Sequence, residues 1–180
     1  MDLSKYIYIN KNSLSEEISS EIIDLYNSHA KKELNNELIF YVSDNNNICK
    51  LLIKEMKKNF VNYTTYLRSN MTNVPFNFEK LYSEKLIIKK YSKNEIINEY
   101  KDEVIDNNTS NEISKLIFLW YLNDVEEGGE TEFWQGEYIV KPEVGKMVIF
   151  PSCWTFPYSG KIPLSCDKYI LIGKLFFNLD

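Results

Sequence analysis

The stretch from Leu116 to Phe177 constrains the fold more than any other part of the chain. It holds three apolar, strand-like runs, Leu116–Leu122, Lys146–Phe150 and Lys168–Phe177, all rich in Ile, Leu, Val, Phe and Tyr. Turn residues bound every run: a Gly128-Gly129 pair, the segment Lys141-Pro142-Glu143-Val144-Gly145, and a long loop containing Pro151, Pro157 and Pro163. β-Branched and aromatic runs between such breakers read as buried strands. Closely spaced strands joined by tight turns predict a sandwich or a jelly roll.

The first half of the chain reads differently. Tyr6-Ile7-Tyr8-Ile9 is β-favouring and predicts a short strand. A helix follows to about His29, capped at Asn12 or Ser13, or one step later at Ser15, with Leu14, Ile18, Ile22, Leu25 and Tyr26 on one face. A second helix starts from the Asp44–Asn47 loop and runs to about Leu67. Its stripe of Ile48, Leu51, Leu52, Met56, Phe60, Tyr63 and Leu67 reads as a core face. Arg68 to Pro75 reads as a polar linker. Phe78 to Tyr91 predicts one or two strands ending at a Tyr91-Ser92-Lys93-Asn94 turn, and Asn94 to Asp106 a polar edge or rim. The loop Asp106–Asn111 is either a lid or a solvated connection.

Composition narrows the function classes. At 180 residues, with 44% hydrophobic and 14% aromatic side chains, the chain predicts one domain with a sizeable core. The net charge of -5 and a single arginine, Arg68, argue against nucleic-acid binding. Cys49, Cys153 and Cys166 are widely spaced. They read as free thiols of a reducing compartment, with a Cys153–Cys166 bridge as the alternative. No signal peptide or long apolar run is visible, which predicts a soluble, cytoplasmic protein with no membrane partner. The Asn- and Lys-rich, Arg-poor usage suggests an AT-rich genome, such as a viral one.

Tyr121-Leu122-Asn123-Asp124, followed by Glu127-Gly128-Gly129-Glu130-Thr131-Glu132-Phe133, resembles the signature of 2-oxoglutarate/Fe(II) oxygenases of the prolyl 4-hydroxylase type. Pro142-Glu143-Val144-Gly145-Lys146, with Phe150-Pro151-Ser152, resembles the same family's P-x-x-G-x-x-x-x-F-P-S stretch. Lys168-Tyr169-Ile170-Leu171 resembles its last core strand. The resemblance implies a mainly β fold with flanking helices, built on a double-stranded β-helix (a cupin-like jelly roll). It also implies one domain over residues 1–180, with mainly supporting helices in 1–75 and the jelly-roll core in 76–180.

Such oxygenases hold Fe(II) with two imidazoles and one carboxylate, leaving positions open for 2-oxoglutarate and O₂. Carried onto this chain, the resemblance puts Asp102 at the carboxylate position. It puts Tyr100 and Tyr158 where the two histidines belong, and Lys168 with Tyr91 at the far carboxylate of 2-oxoglutarate. His29 is the only histidine, so one chain cannot assemble a two-imidazole site. An unperturbed phenol has a pKa of about 10 and is a poor ligand for Fe(II), although Fe(III) accepts tyrosinate.

Two readings follow. In one, the tyrosine rings fill the vacated space, no cofactor is needed, and the chain is a degenerate binding module. Its partner is then a peptide or protein at the barrel mouth, or a small dicarboxylate near Lys168. In the other it remains a dioxygenase acting on prolyl or other side chains, with Fe and 2-oxoglutarate on an unusual Tyr/Asp site. Lys168 also has a plain reading, as the polar start of a strand with its ammonium at the rim. Glu126, Glu127, Glu130 and Glu132 form either a carboxylate or Ca²⁺ site or the solvated flank of a Gly-Gly hairpin. Trp134, Trp154 and Phe156 either grip a peptide or sugar or pack the core or rim.

Overall fold

The computed structural model describes residues 2–29, 37–41, 47–70, 81–83, 85–95 and 116–177. A 3-10 turn, Leu3–Tyr6, leads into strand β1 (Tyr8–Asn10) and helix α1 (Glu16–His29). Strand β2 (Glu37–Tyr41), helix α2 (Asn47–Asn70), β3 (Leu81–Tyr82) and β4 (Lys85–Tyr91) come next. Then follow β5 (Leu116–Tyr121), β6 (Thr131–Phe133), β7 (Tyr138–Val140), β8 (Met147–Pro151), β9 (Tyr158–Gly160) and β10 (Lys168–Phe177). The strands form two antiparallel sheets. The larger runs β1-β8-β5-β10-β4-β2, with β3 pairing with the end of β10, and the smaller runs β7-β6-β9.

Strand alternation explains how one sheet serves two cores. Successive side chains point to opposite faces. Every residue of β5 is buried, because both of its faces are covered. Leu116, Phe118 and Trp120 join Met147, Ile149, Leu171 and Leu175 on one face, against Ile22 and Tyr26 of α1 and Leu52, Met56 and Tyr63 of α2. Ile117, Leu119 and Tyr121 join Val148, Phe150, Ile170 and Ile172 on the other, against Phe133 and Val140 of the smaller sheet. Most of the helical stripes expected from the sequence therefore form the outer core, except that Leu51 is exposed and Leu25 only half-buried outside that cluster, and the space between the sheets is the inner core.

Local chemistry decides the element ends. Ser15 caps α1, its Oγ accepting from the Ile18 N–H at 3.3 Å. The earlier candidate, Ser13, is committed elsewhere: its Oγ accepts from Asn59 Nδ2 (2.7 Å) and Trp120 Nε1 (2.8 Å). Tyr6, expected in a strand, closes the 3-10 turn instead, where Asp2 caps Ser4. The second helix runs three residues past Leu67, so Arg68, Ser69 and Asn70 are helical and not linker. Gly128 and Gly129 have the expected positive φ, both 71°. They do not close a hairpin, because β5 and β6 belong to different sheets. The pair makes the crossing between sheets, with Gly128 bridged to Pro163. Among the described residues, no helix is long and apolar enough to cross a membrane.

Candidate functional site

Three of the five site residues expected from the sequence lie in the described part, and all three face the space between the sheets. Tyr100, Asp102 and the loop Asp106–Asn111 fall outside the described residues. Tyr158 opens β9 and stands opposite Phe133 in the β6–β9 register. Its ring meets Phe150 edge to face, centroids 4.8 Å apart, and lies 6.1 Å from Phe133. Phe133 and Phe150 complete the set at 4.9 Å. Offset and edge-to-face ring pairs of this kind each add about 0.5–1.5 kcal/mol beyond their area burial. This aromatic cluster joins the smaller sheet to the larger one.

Lys168 opens β10 directly across from Tyr91, the last residue of β4. It shares strand parity with Ile170 and Ile172, so its side chain enters the inner core, and the residue is 0% exposed. The rim reading of Lys168 is thereby corrected. Its Nζ lies 5.7 Å from the centroid of the Tyr91 ring and 5.5 Å from that of Tyr121. Burial pushes the amine down to about 7, opposed by the charge of Glu130. Tyr121, which the sequence marked only as the start of a family-like motif and not as a site residue, donates its hydroxyl proton to Thr131 Oγ1 at 2.6 Å. The signal for it was present: Tyr121 has the same parity as Ile117 and Leu119 on a strand buried on both faces.

The four glutamates do separate jobs. Glu126 and Glu127 are exposed, while Glu132 accepts from Ser159 Oγ (3.0 Å) and pairs with Lys161 (3.4 Å). Among the described residues, no three His, Cys, Asp or Glu side chains converge as a metal cage requires. Phe156 is buried and packs on Trp134 with centroids 5.3 Å apart, whereas Trp154 is 90% exposed. Cys49, Cys153 and Cys166 are all free thiols, so the Cys153–Cys166 bridge is not formed.

His29 ends α1 on the outer side of the larger sheet. Two turns of that helix bury Ile22 and Tyr26 in the outer core, and Tyr26 packs on Tyr169 at 5.7 Å. The His29 ring is exposed and its Nδ1–H donates to the Leu25 carbonyl at 2.9 Å. The larger sheet therefore separates the chain's one imidazole from Tyr158 and Lys168 in the inner core. An iron ion held by two imidazoles and a carboxylate does not fit this chain.

Solved structures show the same architecture. A viral collagen prolyl hydroxylase from Paramecium Bursaria Chlorella virus-1, solved with 2-oxoglutarate, superposes with a TM-score of 0.69 at 17% identity, covering 96% of each chain. A Pseudomonas putida prolyl-4-hydroxylase gives 0.66 at 14% identity, covering 96% of this chain and 93% of that one. A prolyl hydroxylase from Trichoplax adhaerens, bound to a hypoxia inducible factor peptide fragment, gives 0.58 at 18% identity, covering 97% and 84%. No protein-family model and no curated protein matches the chain in sequence. The two-sheet architecture is the double-stranded β-helix of these prolyl hydroxylases.

Proposed function

We propose that this chain is a prolyl hydroxylase-like jelly roll that has lost two-imidazole iron chemistry and works as a peptide-binding module. One observation carries the reading: the only imidazole lies on the outer face of the larger sheet, while Tyr158 is packed against Phe150 and Phe133 between the sheets. In this reading Tyr100 and Tyr158 stand at the imidazole positions and Asp102 at the carboxylate position. The peptide as partner draws on the Trichoplax neighbour, which carries one. The match over 96% of the chain supports a single unit spanning residues 1–180, the helices of 1–75 backing the core of 76–180. Three free thiols are in keeping with a reducing, cytoplasmic setting.

A second reading, a dioxygenase on a Tyr/Asp site, draws on the Lys168–Tyr91 pair. Such a pair would serve the distal carboxylate of 2-oxoglutarate, and the same amine would hold a simple dicarboxylate.

Elemental analysis after iron loading, with a succinate assay on 2-oxoglutarate, separates the two. The module reading expects no stoichiometric, chelator-removable iron and no succinate. Either one above background overturns it. Tyr100→His combined with Tyr158→His is expected to create Fe(II) binding.

A further inference from the structure

A cleft of about 280 Å³ opens between the N-terminal 3-10 turn and the connection from β6 to β7. Asp2, Leu3, Ser4, Trp134, Glu137 and Tyr138 line it, none of them basic, and it shares no lining residue with the Tyr158–Lys168 site. Its walls combine two chemistries. Leu3, the Trp134 indole and the Tyr138 ring are half-buried and supply apolar and π surface, while Asp2 and Glu137 are exposed carboxylates. Hydrogen bonds from the Ser4 hydroxyl and backbone hold the Asp2 carboxyl below its ordinary range, so it is charged at neutral pH. Lys5 adjoins Asp2 in the same turn but does not line the cleft.

The walls are fixed to one another through Phe156. Its ring packs on Tyr6 of the 3-10 turn at 6.0 Å and on Trp134 at 5.3 Å. Trp134 Nε1 is tied to the Thr155 carbonyl at 2.8 Å. Trp134, Gln135 and Gly136 follow one another at φ 51°, 59° and 97°, an unusual reversal that places the indole at the cleft.

We propose that this cleft receives a lysine or arginine side chain of a peptide partner. The cation meets the faces of Trp134 and Tyr138 between two carboxylates, and its methylene stem lies along Leu3. A peptide suits the surroundings better than a free small cation. Trp154, 90% exposed and one residue before the Thr155 that anchors Trp134, is an exposed aromatic close in sequence to that anchor and available to flanking residues of a peptide. The net charge of -5 steers basic partners toward the chain. The inference rests on the peptide-binding reading above, and does not depend on the fate of iron.

The experiment titrates the full chain with short glycine-flanked peptides carrying one central Lys, Arg, norleucine or Glu, following the indole N–H signal of Trp134 by NMR. A neutral proline-rich peptide and choline serve as separate arms. Lys and Arg peptides are expected to bind, and norleucine to bind roughly threefold or more weakly. Glu137→Gln and Asp2→Asn should each weaken the Lys peptide by roughly threefold, while Glu126→Gln, an exposed carboxylate that does not line the cleft, leaves it unchanged. Equal binding of norleucine, equal effect of Glu126→Gln, or choline binding as tightly as the Lys peptide overturns the proposal. Binding of the proline-rich peptide without any preference for Lys or Arg sinks the cleft alone. Failure of every peptide sinks the peptide-binding reading with it.

Discussion

The rings of Phe150 and Tyr158 meet edge to face with centroids 4.8 Å apart, one on the larger sheet and one on the smaller. This contact joins the two sheets at the position where the resemblance places a metal ligand. Tyr158→Ala should cost about 1–3 kcal/mol, below the range for a fully buried aromatic because Tyr158 is half-buried. Tyr158→Phe should cost under about 1 kcal/mol, since the ring contacts remain. Urea unfolding of both variants checks this. A residue kept only for ligand binding would show no such gap.

Lys168 gives the chain a pH signature. Its amine is pushed down from 10.5 to about 7 by burial, so between those values the unfolded chain binds a proton that the folded chain does not. Stability from this group is thus lowest below about pH 7 and rises toward pH 10.5. Lys168→Met should therefore be more stable than the parent at pH 6, by up to about 5 kcal/mol, taking the fall from 10.5 to about 7 at roughly 1.4 kcal/mol per pKa unit. The gain should shrink steadily as pH rises through that window. Thermal melts at pH 6, 8 and 10 test it, and a pH-independent difference would contradict the burial argument.

Ser13 ties three elements together. Its hydroxyl accepts from Asn59 Nδ2 and Trp120 Nε1 and donates to Met147 Sδ, at 2.7, 2.8 and 3.7 Å, which uses its full capacity. Asn59 in turn accepts from Asn10 Nδ2 at 2.7 Å. Ser13→Ala leaves two fully buried donors without that acceptor, and each such loss costs about 1–3 kcal/mol. We expect at least about 2 kcal/mol of destabilisation in chemical unfolding, with Ser13→Thr losing less if its methyl is accommodated.

Gly173 stands opposite Phe118 across β10 and β5. A Cβ there would lie 2.2 Å from Phe118 Cζ, so the ring occupies the space a side chain would take. Gly173→Ala should cost about 1–3 kcal/mol or more. Phe118→Leu should recover part of that loss in the double variant, a coupling that a double-mutant cycle measures directly.

Much of the fold was legible because its signals are local. The Lys168–Phe177 run became β10 with the same bounds, and the helical stripes of Ile22, Tyr26, Leu52, Met56 and Tyr63 became the outer core. Strands β2, β6, β7 and β9 were not anticipated. β6, β7 and β9 are three residues each, and β9 lies in a stretch flanked by Pro157 and Pro163 that reads as loop. None of its residues is fully buried, so no alternation marks it. The Gly128-Gly129 pair announced a turn, but the two residues are the same whether the next strand pairs back or crosses to a second sheet.

The sequence by itself determined that the chain carries strands enough for a jelly roll and only one histidine, since composition and strand period need no partner to be read. Tertiary structure alone decided that Lys168 is buried and not at the rim, because that depends on which face of β10 the smaller sheet covers. It likewise decided that Ser13 serves Trp120, 107 positions away, and not the start of a helix. Contacts between residues so far apart are set by how the sheets and helices close on one another, and no local pattern encodes that closure.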